Sequence, residues 1–276
     1  MYFNFQLDPK KNKNEEDFTK EVSYHDKIDM PSGIINYDSN IHQFTINPTT
    51  SLSINDQTFN ILDDTAITAP ITESNNAIVG TDIVNNVYEG GCALWEASID
   101  LTKHLMDHVS DFACSNILEL GCGHGLPGIT MIRLLPQCRV DFQDYNKDVL
   151  NNVTIANVLR NASEDGLKRC RFIYGPWNSM KHILVAHYYD VIINAETIYN
   201  PNSYSDLLDV FDHALSVEGV VILAAKSLYF GVGGSIKLFM EAIRRSDIWT
   251  VQTVKTIKES DSLSRQIIEL RRKVNR

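Results

Sequence analysis

Apolar and polar residues follow two different rhythms along this chain. Up to about residue 85 the apolar positions are sparse. They cluster in short alternating runs, "HQFTI" at 42–46 and "TFNIL" at 58–62, which predict a hairpin or edge strands. From about residue 87 the segments lengthen, and their period switches repeatedly between that of a helix and that of a buried strand. "LWEASIDLTKHLMDHV" (94–109) has apolar residues at helical spacing, and "NILEL" (116–120) is a strand. "PGITMIRLL" (127–135) predicts a helix, with Pro127 in its first turn, and "RVDFQDY" (139–145) a strand. "KDVLNNVTIANVLR" (147–160) is helical, and "RCRFIYG" (169–175) is extended. A short helix follows, then strand "YDVIINAE" (189–196), helix "SYSDLLDVFDHAL" (203–215), strand "GVVILAAK" (219–226) and helix "GSIKLFMEAIRR" (234–245). Two strands, "WTVQTVKTI" and "SRQIIELRR", close the chain.

Alternating strands and helices predict a parallel sheet covered on both faces. The last two strands are joined by the short polar link "KESDSL" and should pair as a hairpin. The expected fold is α/β, a doubly wound, mostly parallel seven-stranded sheet with a C-terminal antiparallel hairpin. Ligands of such sheets sit at the carboxyl ends of the strands. Residues 1–85 form a polar N-terminal extension, with roughly the first thirty read as partly disordered. Residues 86–276 form the main domain.

Composition narrows the picture. Hydrophobic content of 43% and charged content of 22% suit a globular domain with a full core. The most apolar run, "VVILAA" at 220–225, is far too short to cross a bilayer. No basic segment followed by an apolar core opens the chain, so no secretory signal is expected. The five cysteines are odd in number and lack CxxC spacing, which favours reduced thiols and a location in the cytoplasm or the nucleus. Net charge is −10, with thirteen acids against five bases in residues 1–82. That balance argues against a general nucleic-acid binder and suits a basic partner. His104 and His108 lie one helical turn apart, but no third ligand has fitting spacing, so no metal is expected.

The informative stretch is "ILELGCGHGLPGI" (117–129), where Gly121, Gly123 and Gly125 alternate between a strand and a helix. Each glycine in a regular element costs about 0.5–1 kcal/mol against alanine. A tight turn would explain one. A ligand lying against the bare backbone would explain three. The spacing is not that of a dinucleotide site, no Lys or Arg stands nearby for a phosphate, and Pro127 removes a backbone donor. Instead Glu119 precedes the turn, and the next strand ends in Asp144, where a carboxylate can hold both hydroxyls of a ribose. A nucleoside carrying positive charge and no phosphate fits, and S-adenosylmethionine has that chemistry.

"LELGCGHG" followed by "FQDYN" resembles the seven-strand methyltransferases. More narrowly, "EGGCALWEASIDL", "LELGCGHGLPGI", "DFQDYN", "GPWNSM", "NAETIYNP" and "AAKSLYFGVGGS", in that order, resemble the histidine protein N-methyltransferases that modify a large-subunit ribosomal protein. The resemblance implies that Gly121 and Gly123 let the backbone approach the methionine and ribose portions. It implies that Glu119 meets the amino group, that Asp144 holds the ribose, and that Tyr145 and Asn146 lie beside the adenine. Gly175 and Trp177 would pack near the same ring, with Ala195 at the strand edge and Trp95 and Glu96 closing the site. Glu196 and Tyr199 of the acid-x-x-aromatic pattern would be catalytic, with Asn194, Tyr229 and Phe230 toward the substrate. His124 is expected to point to solvent. The implied reaction is methylation of a histidine, at the tele nitrogen, on a basic large-subunit ribosomal protein, without a membrane or direct nucleic-acid contact. Two alternatives stand beside it: a lysine methyltransferase of the same group, and a non-catalytic ribosome-assembly binding factor.

Overall fold

The structure, a computed structural model, describes residues 31–35, 49–63, 90–112, 115–260 and 262–273. The strand expected at 42–46 and the disorder expected in the first thirty residues lie outside them. In chain order the strands are β1 (Gly33–Ile35), β2 (Thr49–Ile54), β3 (Gln57–Leu62), β4 (Asn116–Leu120), β5 (Arg139–Asp144), β6 (Cys170–Tyr174), β7 (Tyr189–Ala195), β8 (Leu215–Lys226), β9 (Trp249–Ile257) and β10 (Arg265–Arg272). The helices are α1 (Glu96–Asp107), α2 (Leu126–Leu134), α3 (Lys147–Val149), α4 (Ile155–Asn161), α5 (Glu164–Leu167), α6 (Tyr204–Ala214) and α7 (Ile236–Ser246).

The main sheet runs β1-β6-β5-β4-β7-β8-β10-β9. Strands β6, β5, β4, β7 and β8 are parallel, and β10 and β9 pair antiparallel beyond β8. The seven expected strands are all present. An eighth, β1, was missed: it adds antiparallel to β6, and three residues are too few to show a period. The first hairpin also differs from expectation. β3 holds "TFNIL", but its partner is β2 at 49–54. Asn55 takes a positive φ of 48° in the tight turn between them.

Two apolar layers cover the sheet. One joins Leu101 and Leu105 of α1, Ile129 and Ile132 of α2, and Ile155 and Val158 of α4 to Val140, Phe142 and Ile193. The other joins Leu207 and Phe211 of α6, and Ile236, Phe239 and Ile243 of α7, to Leu118, Ile192 and Leu223. Ile236, Phe239 and Ile243 are spaced three and four apart, so they share one helix face. The β2–β3 hairpin belongs to the first layer through Ile54, Phe59 and Ile61. Its backbone is bound by side chains of the main domain. The amides of Asn60 and Leu62 donate to Asn161 and Asn157 at 2.8 Å, and Arg133 donates to the Thr58 carbonyl at 2.6 Å. The described part of residues 1–85 thus shares the core of residues 90–273. No helix among the described residues is long and apolar enough to cross a membrane.

Candidate active site

The carboxyl ends of β4, β5, β7 and β8 meet at one edge of the sheet, and the expected site residues gather there. The turn after β4 is left-handed at each glycine, with φ of 60° at Gly121, 47° at Gly123 and 70° at Gly125. Left-handed backbone costs other residues about 1–2 kcal/mol each, which is one reason for glycine here. Space is the second. A Cβ on Gly121 would lie 2.8 Å from Thr197 Cγ2, and one on Gly123 would lie 3.0 Å from the Gly91 carbonyl. Gly125 caps α2.

Two buried acids flank the turn. Asp144 accepts from the amide of Gly123 at 2.9 Å and that of Asn146 at 3.1 Å. Burial pushes its carboxyl up to about 6, against the pull of those amides. Glu119 accepts from the Gly128 amide in α2 at 2.9 Å, and burial pushes it up to about 8. A cation or hydroxyl donors arriving at either carboxyl would favour its ionised form.

Gln143, which sequence reasoning missed, links the glycine turn to the segment after β6. Its Oε1 accepts from the Gly121 amide at 3.3 Å and from the Trp177 indole at 3.1 Å, while its Nε2 donates to the Gly175 carbonyl at 2.9 Å. Three predicted residues are therefore tied to one amide. The available signal was a polar residue inside the buried strand "VDFQD". Thr154 was also missed. It lies in a π-helical turn, Leu150–Thr154, between α3 and α4, and its hydroxyl donates to the Gly123 carbonyl at 2.5 Å. Tyr145 and Asn146 follow Asp144 as expected, Asn146 buried and Tyr145 half-buried. His124 is a correction. It is buried rather than solvent-facing, because the turn folds under α4 and Asn157 donates to the His124 carbonyl at 3.1 Å.

At the end of β7 the chain bends sharply at Glu196, which has a positive φ of 59°. The residue is 7% exposed, and its Oε2 accepts a hydrogen bond from the Tyr229 hydroxyl. Its Oε1 has no partner among the described residues, and neither do the side-chain polar atoms of buried Asn194 or the Thr197 hydroxyl. Buried polar groups without partners cost about 1–3 kcal/mol each, so three at one strand end point to an absent ligand. Burial raises the Glu196 carboxyl above its ordinary value, and Lys226 and the Tyr229 hydroxyl draw it back. Tyr199 packs edge-on to Tyr229, with ring centroids 6.4 Å apart. Its carbonyl accepts from the Gly234 amide at 2.9 Å, which ties the loop after β8 to the end of β7. Phe230 is 75% exposed on that loop, with Leu228 and Val232 also exposed.

Trp95 stands at the start of α1, and its indole donates to the Gly90 carbonyl at 3.0 Å. Glu96 is exposed and pairs with Arg265 at 3.1 Å, so its carboxylate serves that ion pair. Ala195, half-buried, ends β7. The rings of His104 and His108, at the C-terminal end of α1, lie tilted at 41° with centroids 4.4 Å apart. Among the described residues no group of three or more His, Cys, Asp or Glu could hold a metal.

The residues present fit S-adenosylmethionine. The glycine backbone leaves a cradle that side chains would fill, a buried carboxyl, Asp144, stands beside it, and unpartnered buried polar atoms gather at the end of β7. A family model described as lysine methyltransferase matches residues 78–245. The histidine protein methyltransferase 1 homolog of Dictyostelium discoideum is 39% identical over 195 residues, 71% of this chain and 62% of that protein. The Bos taurus homolog is 34% identical, over 69% of this chain and 57% of that protein. The chain thus spans about three-fifths of the length of these curated relatives. Among solved structures, the CurJ carbon methyltransferase superposes with a TM-score of 0.51 at 16% identity, covering 64% of this chain and 54% of that one. At that identity the likeness concerns the fold alone.

Proposed function

The chain belongs to the lysine methyltransferase family, and from that premise we propose that it is a protein-histidine N-methyltransferase using S-adenosylmethionine. The observation that carries the reading is Glu196. It is a buried carboxyl on strained backbone, with one oxygen held by Tyr229 and the other unpartnered. The similarity to histidine protein methyltransferase 1 homologs supports the same acceptor. When bound, the cofactor's sulfonium offers its methyl group to a nucleophile. Asp144 accepts from the ribose hydroxyls, and Glu119 accepts from the amino group directly or through water. Gly121 and Gly123 present bare backbone between them.

Glu196 Oε1 accepts the N–H of an incoming imidazole. That bond fixes the tautomer and leaves the lone pair of the other ring nitrogen, the tele nitrogen in this reading, facing the methyl group. The new N–C bond would form as the sulfonium S–C bond breaks, with neutral adenosylhomocysteine as the leaving group; the positive charge passes to the ring, and the carboxylate stabilises it. Tyr229 holds the carboxyl in one orientation, and Tyr199 walls the channel. The ring N–H proton then leaves through Glu196 to solvent. With a pKa of about 6.5 the imidazole is largely neutral above pH 7, so no strong base is needed. The proposed acceptor is a basic large-subunit ribosomal protein, met in the cytoplasm or the nucleus, for which the net charge of −10 is complementary.

The second reading, lysine as acceptor, follows from the family's description. The two separate by product. A ribosomal-protein fraction from cells lacking the enzyme is incubated with labelled adenosylmethionine, hydrolysed and resolved. Label in methyl-histidine supports the proposal, and label in methyl-lysine supports the second reading. No thermal shift with adenosylhomocysteine would favour a non-catalytic role, and binding without any transfer would mean a different acceptor.

A further inference from the structure

Resting on the histidine reading, the geometry points to Lys226 as a specificity-determining residue that excludes lysine side chains from the methyl-transfer site. Lys226 is the last residue of β8. Its ladder partner is Arg265 of β10, and the Glu196 amide donates to the carbonyl of Ala224, two residues before it, at 2.9 Å. Its ammonium lies 5.0 Å from the centroid of the Trp95 ring, over the residue that opens α1. Its own amide donates at 3.3 Å to the Tyr229 hydroxyl, the group that donates to Glu196. Lys226 therefore stands at the mouth of the site, held from both ends.

The charges around Glu196 come from three elements. Lys226 and Tyr229 face it from β8 and the loop after it, and Glu96 faces it from α1. Glu96 is already paired with Arg265, which also binds Asp100 at 2.5 Å and Glu259 at 3.0 Å. Among the described residues, the cation that acts on Glu196 is thus Lys226, with its ammonium over the Trp95 ring. Its presence favours the ionised carboxyl, opposing the desolvation that raises it.

The consequence differs for the two acceptors. Imidazole enters neutral and needs only a hydrogen-bond acceptor. A lysine enters as an ammonium with no lone pair, and it must lose a proton before an N–C bond can form. At this site it meets a like charge, and the carboxylate that would take its proton is weakened as a base by the same cation. A lysine meets both effects on entry and before it can react, whereas histidine enters neutral and meets the like charge only as the ring becomes cationic, so the balance favours histidine.

The test compares wild type with Lys226→Met, which keeps the aliphatic stem against Trp95, and Lys226→Arg, which keeps the charge. Each acts on the ribosomal-protein fraction with labelled adenosylmethionine across a pH series, and methyl-histidine and methyl-lysine are quantified. Lys226→Met is expected to raise the methyl-lysine to methyl-histidine ratio about tenfold. It should also move the acidic limb of histidine transfer up by about one pH unit. Lys226→Arg should move neither. If Lys226→Met lowers total transfer while ratio and limb stay fixed, Lys226 is a packing residue and the proposal fails alone. If the wild-type enzyme labels mainly lysine, the histidine reading and this proposal fail together.

Discussion

Glu196 is a single residue on which several costs converge. It is buried, left-handed and half-partnered. Strain of this kind persists where function needs it. Glu196→Gln keeps the shape and one hydrogen-bonding oxygen, but removes the charge that fixes and stabilises the imidazole. Transfer is expected to fall about 10²–10⁴-fold with adenosylhomocysteine affinity unchanged. Glu196→Gly relieves a left-handed penalty of roughly 1–2 kcal/mol, so its melting temperature should rise while transfer is lost. A variant that loses both stability and cofactor binding would make Glu196 a structural residue. The acids below behave differently. Glu119 and Asp144 are pushed up to about 8 and about 6, chiefly by burial. Their folded values lie above the unfolded ones. The stability they contribute is complete below about pH 4 and is lost as pH rises through the folded values. Ligand donors favour the ionised forms, so binding should release protons. Affinity for adenosylhomocysteine should rise between about pH 5.5 and 7.5, while the melting temperature of the free protein falls. Calorimetry at several pH values checks both, and a flat affinity would remove these carboxyls from the ligand. Glu119, Asp144 and Glu196 were legible in sequence because each stands next to a turn or strand end. Gln143 and Thr154 were not, since their partners lie 22 or more residues away.

Among the elements, the loop after β8 matters because of how it is fastened. Gly234 donates to the Tyr199 carbonyl, and its own carbonyl accepts from Tyr229 at 2.9 Å. A Cβ there would come within 3 Å of the Ile198 and Tyr199 backbone, which cannot swing aside as a side chain can. Gly234→Ala should therefore cost about 1–3 kcal/mol and part Tyr229 from Glu196, lowering transfer. Gly231→Ala meets nothing within 4 Å and pays only for its φ of 82°. Chemical denaturation of the two variants separates these outcomes, and equal effects would mean the loop is not fastened at Gly234. The alternating pattern predicted the strands and long helices well, because burial on both sheet faces imposes the period directly. Two short strands, β1 and β2, escaped it. β1 and β2 carry too few buried positions for a rhythm to show, and Thr49–Ile54 is polar on its open side.

At the scale of the molecule, the N-terminal hairpin is part of the core that holds the site. Phe59 is fully buried, and the Arg133 guanidinium of α2 lies 4.6 Å from its ring centroid. The same hairpin is bound by Asn157 and Asn161, and Asn157 supports the carbonyl of His124 in the glycine turn. Phe59→Ala should cost about 3–5 kcal/mol. It should also weaken adenosylhomocysteine binding, because α4 carries both the hairpin and the turn. Thermal melts with and without ligand read the two effects, and a loss under about 1 kcal/mol would mean the hairpin only rests on the surface. Sequence composition set residues 1–85 apart as polar, yet five apolar positions in β2 and β3 were enough to dock that hairpin.

The most direct measurement of the central claim is intact mass followed by peptide mapping of a large-subunit ribosomal-protein fraction from cells lacking the enzyme. Wild type is run beside Glu196→Gln and Gly121→Arg. The account predicts a gain of one methyl group, mapped to a histidine, from the wild type. It predicts a strongly reduced gain from Glu196→Gln and none from Gly121→Arg. A methyl group on lysine, or undiminished histidine transfer by Glu196→Gln, would contradict it.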